Sequence, residues 1–178
     1  MDWRKLSREI ADKLGGNIAL ADERPILYID SRQQQLLWID IEEDSNSYPI
    51  STAANGVGNR MDSFKTPFGI HRIRQKIGGG EVSGTIFESR EPIGKIATSR
   101  DNRDKDEITS RILWLDGLEE GVNHGGVYDT FDRFIYIHGT SDEKRIGEPV
   151  SAGCIRMKND DIIELFDEVL VDDLVLIR

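Results

Sequence analysis

The chain has 178 residues, 38% of them hydrophobic and 31% charged, which suits one globular domain with a substantial core. Its net charge of -10 at pH 7 argues against nucleic acid and anionic membrane as partners, because both are bound through a basic face. A single cysteine excludes an internal disulfide, and with it the disulfide-stapled secreted scaffolds.

At the N-terminus, Trp3, Leu6, Ile10 and Leu14 recur at spacings of three and four. That is one stripe of an amphipathic helix, and Gly15-Gly16 ends it. Charged residues interrupt every turn, where a secretory signal needs an unbroken apolar stretch. No later segment approaches the roughly 18 apolar residues of a membrane span. A cytoplasmic protein is expected, the alternative being a periplasmic one whose signal has been removed.

Ile26-Leu27-Tyr28-Ile29 and Leu36-Leu37-Trp38-Ile39 flank a polar Asp30-Ser31-Arg32-Gln33 and predict a hairpin. Tyr48-Pro49-Ile50-Ser51-Thr52 reads as a short strand, its proline near the start as an edge permits. Ala53 to Asp62 reads as a loop and Thr66-Pro67-Phe68-Gly69 as a turn. Ile70 to Ile77 reads as a strand, which Gly78-Gly79-Gly80 breaks. Glu81 to Glu107 is polar and rich in turns. Its charge run, Arg100 to Glu107, reads as a solvated loop, with a flap over a site as the alternative.

Ser110 to Leu115 predicts a strand and Gly117 to Asp129 a glycine-rich loop. Phe134-Ile135-Tyr136-Ile137 predicts a strand with His138-Gly139 at its end. After a polar loop from Ser141 to Pro149, Val150 to Met157 reads as a short strand. Asn159 then suits a helix cap, with Asp160 and Asp161 in the first turn and Ile162, Leu165, Phe166, Val169 and Leu170 as the buried stripe. Leu174 to Ile177 predicts a last strand. Many short strands against two helices indicate a mainly β, α+β fold with a helix near each end.

The groups able to carry nucleophilic chemistry are few: one Cys and three His. A cysteine attacks as its thiolate, and free Cys has a pKa of roughly 8.5. An imidazole accepts that proton and returns it to a leaving amine. Cys154 lies in Ser151-Ala152-Gly153-Cys154-Ile155-Arg156-Met157, where small neighbours leave backbone N–H groups free to form an oxyanion hole. A buried Cys taken alone is more often inert core, but these surroundings are small and polar. His138 follows an apolar strand, where a histidine is usually structural. Gly139 lets the backbone turn, so that its carbonyl can hold the imidazole tautomer as a carboxylate does in other triads. His71, inside a strand pattern, and His124, in a glycine-rich loop, are expected to be structural or exposed. One Cys and scattered His give no zinc spacing, so neither metal nor cofactor is expected.

Ile135-Tyr136-Ile137-His138-Gly139-Thr140 followed by Ser151 to Met157 resembles the signature of the L,D-transpeptidase (YkuD) catalytic domain. Tyr48 to Thr52 and Thr66 to Gly69 resemble that family's early strand and turn. The resemblance divides the chain into a helical extension, 1–24, and a catalytic domain, 25–178, with a β-sandwich-like fold and a helix after the cysteine. It implies that Cys154 attacks the carbonyl of the third residue of a peptidoglycan stem peptide, displacing D-Ala, with His138 as base and the Gly139 carbonyl orienting it. N–H groups around Gly153 and Cys154 would hold the oxyanion. Ser151, Ala152 and Arg156 would fix the loop or touch substrate, and Tyr128 is a weaker substrate contact. Arg156 as a brace, Ser151 as a loop-fixing hydrogen bonder and Tyr128 as packing are the plainer readings. A carbapenem is an implied covalent inhibitor.

Without a wall-binding module, the expected reaction is that of a cytoplasmic L,D-carboxypeptidase trimming recycled muropeptides. The alternatives are a periplasmic transpeptidase that cross-links peptidoglycan or attaches proteins, a cysteine hydrolase of another amide, and a non-catalytic binding module.

Overall fold

The computed structural model describes residues 3–15, 24–39, 45–97 and 106–178. Its elements are α1 (Trp3–Lys13), β1 (Ile26–Asp30), β2 (Gln35–Ile39), β3 (Ser45–Pro49), β4 (Gly69–Ile77), β5 (Thr85–Glu88), β6 (Glu91–Ile96), β7 (Ile108–Gly117), β8 (Tyr136–Thr140), β9 (Ile155–Met157), α2 (Asn159–Glu168) and β10 (Leu174–Ile177). The fold is mainly β with a helix near each end, as the strand count predicts. No described helix is long and apolar enough to cross a membrane.

The ten strands form one sheet in the order β3-β2-β1-β10-β4-β7-β5-β6, from which β8 and β9 branch at β7. The length of β7 makes this possible: its last residues pair with β4, its first with β5, and its other edge with β8. Just after β3, Ser51 and Arg156 exchange both backbone hydrogen bonds at 2.9 Å. This joins the chain beyond β3 to the free edge of β9 and closes the sheet into a sandwich-like shell.

Inside the shell, Leu27, Ile29, Val175 and Ile177 meet Ile162, Leu165, Phe166 and Val169 of the α2 segment. On the outside, Ile26, Tyr28, Leu174 and Leu176 are covered by Leu6 and Ile10 of α1. β1 and β10 are therefore buried on both faces, which is why each reads as an unbroken apolar run rather than an alternation. Leu6 and Ile10 are 4% and 0% exposed; full burial of such a side chain is worth about 1.5–3 kcal/mol, so α1 is an integral part of the packed domain.

Several expectations shift. The strand expected at Tyr48–Thr52 lies at Ser45–Pro49, with proline at its end, and pairs along the outer edge of β2. Glu81 to Glu107 holds a hairpin, β5–β6, that the sequence conceals: β6 is exposed along most of its length and so lacks alternation. The hairpin turns at Ser89-Arg90, both at positive φ. Residues 98–105, most of the charge run, lie outside the described residues, as do Gly16 and the Trp3 side chain. Asn159 is the first helical residue rather than the cap; the side chain of Glu143 accepts its N–H at 2.7 Å. Leu170 is 60% exposed and leaves the buried stripe at Val169.

Candidate active site

β8 and β9 run parallel, with Ile137 beside Ile155 and His138 beside Arg156. Strand alternation sends Ile135, Ile137, Ile155 and Met157 into the core. It leaves Tyr136, His138, Cys154 and Arg156 together on the opposite face. β7 places Ile112 beside His138 and Trp114 beside Tyr136, and Cys154 packs against this second apolar layer with Phe87. Local pattern and register thus bring the two signature segments, sixteen residues apart from His138 to Cys154, onto one surface.

Cys154 is half-buried. Its Sγ accepts the Tyr136 N–H at 3.4 Å and lies 3.5 Å from the Phe134 carbonyl, to which it donates. The loop before it is tied by Ser151, whose hydroxyl donates to the Cys154 carbonyl at 2.6 Å and accepts the Gly153 N–H at 3.2 Å. Ser151 is the loop-fixing residue of the plainer reading. The same bond corrects the expected role of Gly153: its N–H is already engaged, which leaves the N–H of Cys154 as the candidate oxyanion donor. Gly153 is instead required by its backbone, at φ 140, and its carbonyl accepts from Thr66 Oγ1 at 2.9 Å. Ala152 is exposed and lines a cavity with Phe64, Arg133 and Phe134, of which Cys154 is not a lining residue.

His138 is 2% exposed. It lies within β8, not at a strand end, because the strand begins two residues later than the apolar run suggests; Phe134 sits outside it at φ 55. His138 Nδ1 is 2.7 Å from the Gly139 carbonyl. A carbonyl only accepts, so Nδ1 carries the proton and Nε2 keeps its lone pair, the tautomer a general base needs. Gly139 makes no turn. It is glycine because a Cβ there would lie 2.6 Å from the Thr109 carbonyl and 2.8 Å from Asn159 Oδ1. No hydrogen bond joins His138 to Cys154 among those of the described residues; catalytic pairs often tighten only around substrate.

Arg156 is buried and pairs with Asp106 at 2.7 Å, so it is the brace. Thr140 Oγ1 donates to the other oxygen of Asp106 at 2.5 Å. Asp106 thus enters the site from the end of the charge run, where nothing in the sequence distinguished it from its neighbours. Asn159 is the second residue that sequence reading misplaced. Its Oδ1 accepts from Thr109 and Ser110, and its Nδ2 donates to the Thr140 carbonyl, stapling β7 to the end of β8. Tyr128 is 38% exposed in a 3-10 turn; its side chain does not line the cavity, although the neighbouring Val127 carbonyl accepts the N–H of Met61 at the rim.

Burial pushes the Cys154 thiol up to about 11, against weaker downward pulls from the Tyr136 N–H, Arg156 and Arg133. Burial also holds His138 below the ordinary imidazole value, with the Asp106 charge and the Gly139 carbonyl opposing. Both shifts favour the uncharged forms at neutral pH, so a reaction of the thiol has to remove its proton as it proceeds. Alkylation of Cys154 by iodoacetamide is therefore expected to quicken about tenfold per pH unit from pH 7 towards 10. A rate that is level between pH 5 and 8, read by intact mass, is the signature of a resting thiolate–imidazolium pair and contradicts this.

The other histidines are structural. His71 is fully buried between the Gly69 carbonyl and Thr130, and burial lowers its pKa to about 4. His124 lies within 3.7 Å of Asp116 and 3.6 Å of Asp129. Among the described residues, no group of His, Cys, Asp and Glu is arranged to hold a metal ion.

Residues 24–177 match the family described as the L,D-transpeptidase catalytic domain. The Bacillus subtilis (strain 168) protein "Putative L,D-transpeptidase YqjB" is 48% identical over 48 residues, 27% of each chain. An L,D-transpeptidase from Mycobacterium smegmatis shares the fold at a TM-score of 0.52 and 18% identity, over 87% of this chain and 58% of that one. L,D-transpeptidase 3 from Mycobacterium tuberculosis, in complex with a faropenem-derived adduct, does so at 0.54 and 15%, over 86% and 60%. The chain spans less than two thirds of the length of each of these relatives.

Proposed function

This chain belongs to the L,D-transpeptidase catalytic domain family, and from that premise we propose that it cleaves the L,D-peptide bond before the terminal D-Ala of peptidoglycan tetrapeptide stems through an acyl-enzyme on Cys154. One observation carries the assignment: Cys154 and His138 share a face of β8 and β9, with the imidazole held in its Nδ1–H form by the Gly139 carbonyl. Cys154 Sγ bonds to the third-residue carbonyl carbon as its proton passes to His138 Nε2. The Cys154 N–H faces the oxyanion. As the C–N bond breaks, that proton moves to the departing amine, and D-Ala leaves.

Water then completes the reaction. It attacks the thioester, yields one proton to His138 Nε2, and Cys154 recovers its thiol as the tripeptide carboxylate departs. On this reading the protein is a cytoplasmic L,D-carboxypeptidase of muropeptide recycling. The faropenem-derived adduct on the Mycobacterium tuberculosis relative supports a β-lactam, carbapenems included, as an acylating inhibitor of Cys154.

Incubation with a disaccharide-tetrapeptide, followed by mass, tests the reaction. The expected product has lost one alanine residue by hydrolysis. Dimers joined through the third residue would assign a cross-linking transpeptidase instead, and no change in any stem peptide would leave a hydrolase of another amide.

A further inference from the structure

Both polar atoms of the Asn159 side chain are fully engaged. Its Oδ1 accepts from Thr109 Oγ1 at 2.6 Å and from Ser110 Oγ at 2.5 Å. Its Nδ2 donates to the Thr140 carbonyl at 3.0 Å and to Glu143 Oε1 at 2.6 Å. Turned over, the amide would set its oxygen against a carbonyl and a carboxylate, which only accept, so it sits one way round. Successive strand residues ordinarily point to opposite faces. Here β7 bulges between Thr109 and Ile112, with Ser110 at φ 62, and both hydroxyls reach one acceptor. A bulge re-aims side chains, and a residue with a Cβ stays at positive φ only where its surroundings hold it there.

What these bonds hold is the backbone next to the base. Asn159 Oδ1 would lie 2.8 Å from a Cβ on Gly139, so it packs directly on that glycine, while Nδ2 ties down the carbonyl of the following residue, Thr140. Between these two contacts lies the Gly139 carbonyl, 2.7 Å from His138 Nδ1. A neutral imidazole has two tautomers, and the partner of one nitrogen decides which is present. We propose that Asn159 is the positioning residue of the base: by fixing the backbone at Gly139 and Thr140 it holds the Gly139 carbonyl on Nδ1 and keeps the proton-accepting lone pair on Nε2. Asn159 acts through backbone and touches no reacting atom. The inference rests on the reading of His138 as the base for Cys154.

Three variants test it. Asn159→Ala removes all four side-chain bonds. Asn159→Asp keeps the size and the two hydroxyl bonds but turns an oxygen towards the Thr140 carbonyl and Glu143, which repel it; a carboxylate in the first turn of a helix is otherwise favourable, so α2 is retained. Lys76→Met is the control, since it frees the Phe166 and Val169 carbonyls at the other end of α2. Two readouts are taken from each protein: kcat and KM for release of D-Ala from a tetrapeptide, and the ring-nitrogen NMR shifts of His138, assigned with His138→Gln. Wild type is expected to show one protonated nitrogen, Nδ1, and one bare nitrogen, Nε2. In both Asn159 variants the two shifts are expected to approach each other as the tautomers mix. Their kcat is expected to fall about 10–10²-fold with KM within about threefold, as for a base displaced by up to about 1 Å. Lys76→Met is expected to move neither readout. Wild-type shifts in both Asn159 variants overturn the inference, and a loss of kcat alongside them would make Asn159 a brace for α2 alone. Mixed tautomers in Lys76→Met overturn it too, because any loosening of α2 would then suffice. If wild type releases no D-Ala while the Asn159 variants still mix the tautomers, the proposed reaction falls and Asn159 remains the residue that fixes the imidazole.

Discussion

Cys154→Ala is expected to lower the release of D-Ala from tetrapeptide stems by about 10⁴-fold or more, the scale on which removing a nucleophile acts. His138→Gln is expected to cost about 10³–10⁴-fold, and the double variant little beyond Cys154→Ala, because nucleophile and base act as a unit. Cys154 is half-buried and lies against Tyr136 and Phe134, so a methyl in place of the thiol leaves the fold intact. Circular dichroism confirms that, mass spectrometry follows the peptide, and intact protein mass after a β-lactam shows an adduct on wild type alone. Turnover or adduct formation by Cys154→Ala within tenfold of wild type would refute the assignment of the nucleophile.

Gly139→Ala is the second large effect, and it acts through backbone. The new Cβ meets the Thr109 carbonyl of β7 at 2.6 Å and Asn159 Oδ1 at 2.8 Å. Neither yields readily: Thr109 is in the sheet, and Asn159 is held by Thr109, Ser110, Thr140 and Glu143. β8 must move, and with it the carbonyl that sets the His138 tautomer. The expected loss is about 1–3 kcal/mol of stability, as for overpacking generally. Displacing the base by about 1 Å is expected to cost about 10²-fold in kcat/KM. Gly79→Ala is the control, since its Cβ meets Phe166 only at 3.6 Å. Thermal unfolding and D-Ala release read both variants. A Gly139→Ala protein indistinguishable from Gly79→Ala in both would show that the close approach does not constrain the base.

Most of the fold was legible because its signals are local. The β1–β2 hairpin, β4, β7, α2 and β10 are each announced by periodicity or apolar runs over a few residues. The β5–β6 hairpin was not, because β6 is exposed on both faces and so carries no alternation, and its turn lacks glycine at the two positive-φ positions, Ser89 and Arg90. The position of β8 was also misread: Phe134-Ile135 is apolar without being strand, and Phe134 is 51% exposed at a positive φ.

Composition alone made Cys154 the one possible thiol nucleophile, and the two signature segments named its partner and the family. Those are properties of residue identity and short spacing. Tertiary structure decided the rest. The protonation state of the pair follows from burial beneath distant segments. Arg156 became a brace because Asp106 folds onto it. The hold on Gly153 comes from Thr66, 87 residues away, and the charged cavity from segments that meet only when the shell closes. Desolvation and long-range contact have no period along a chain, so these features appear only once the sheet has brought the segments together.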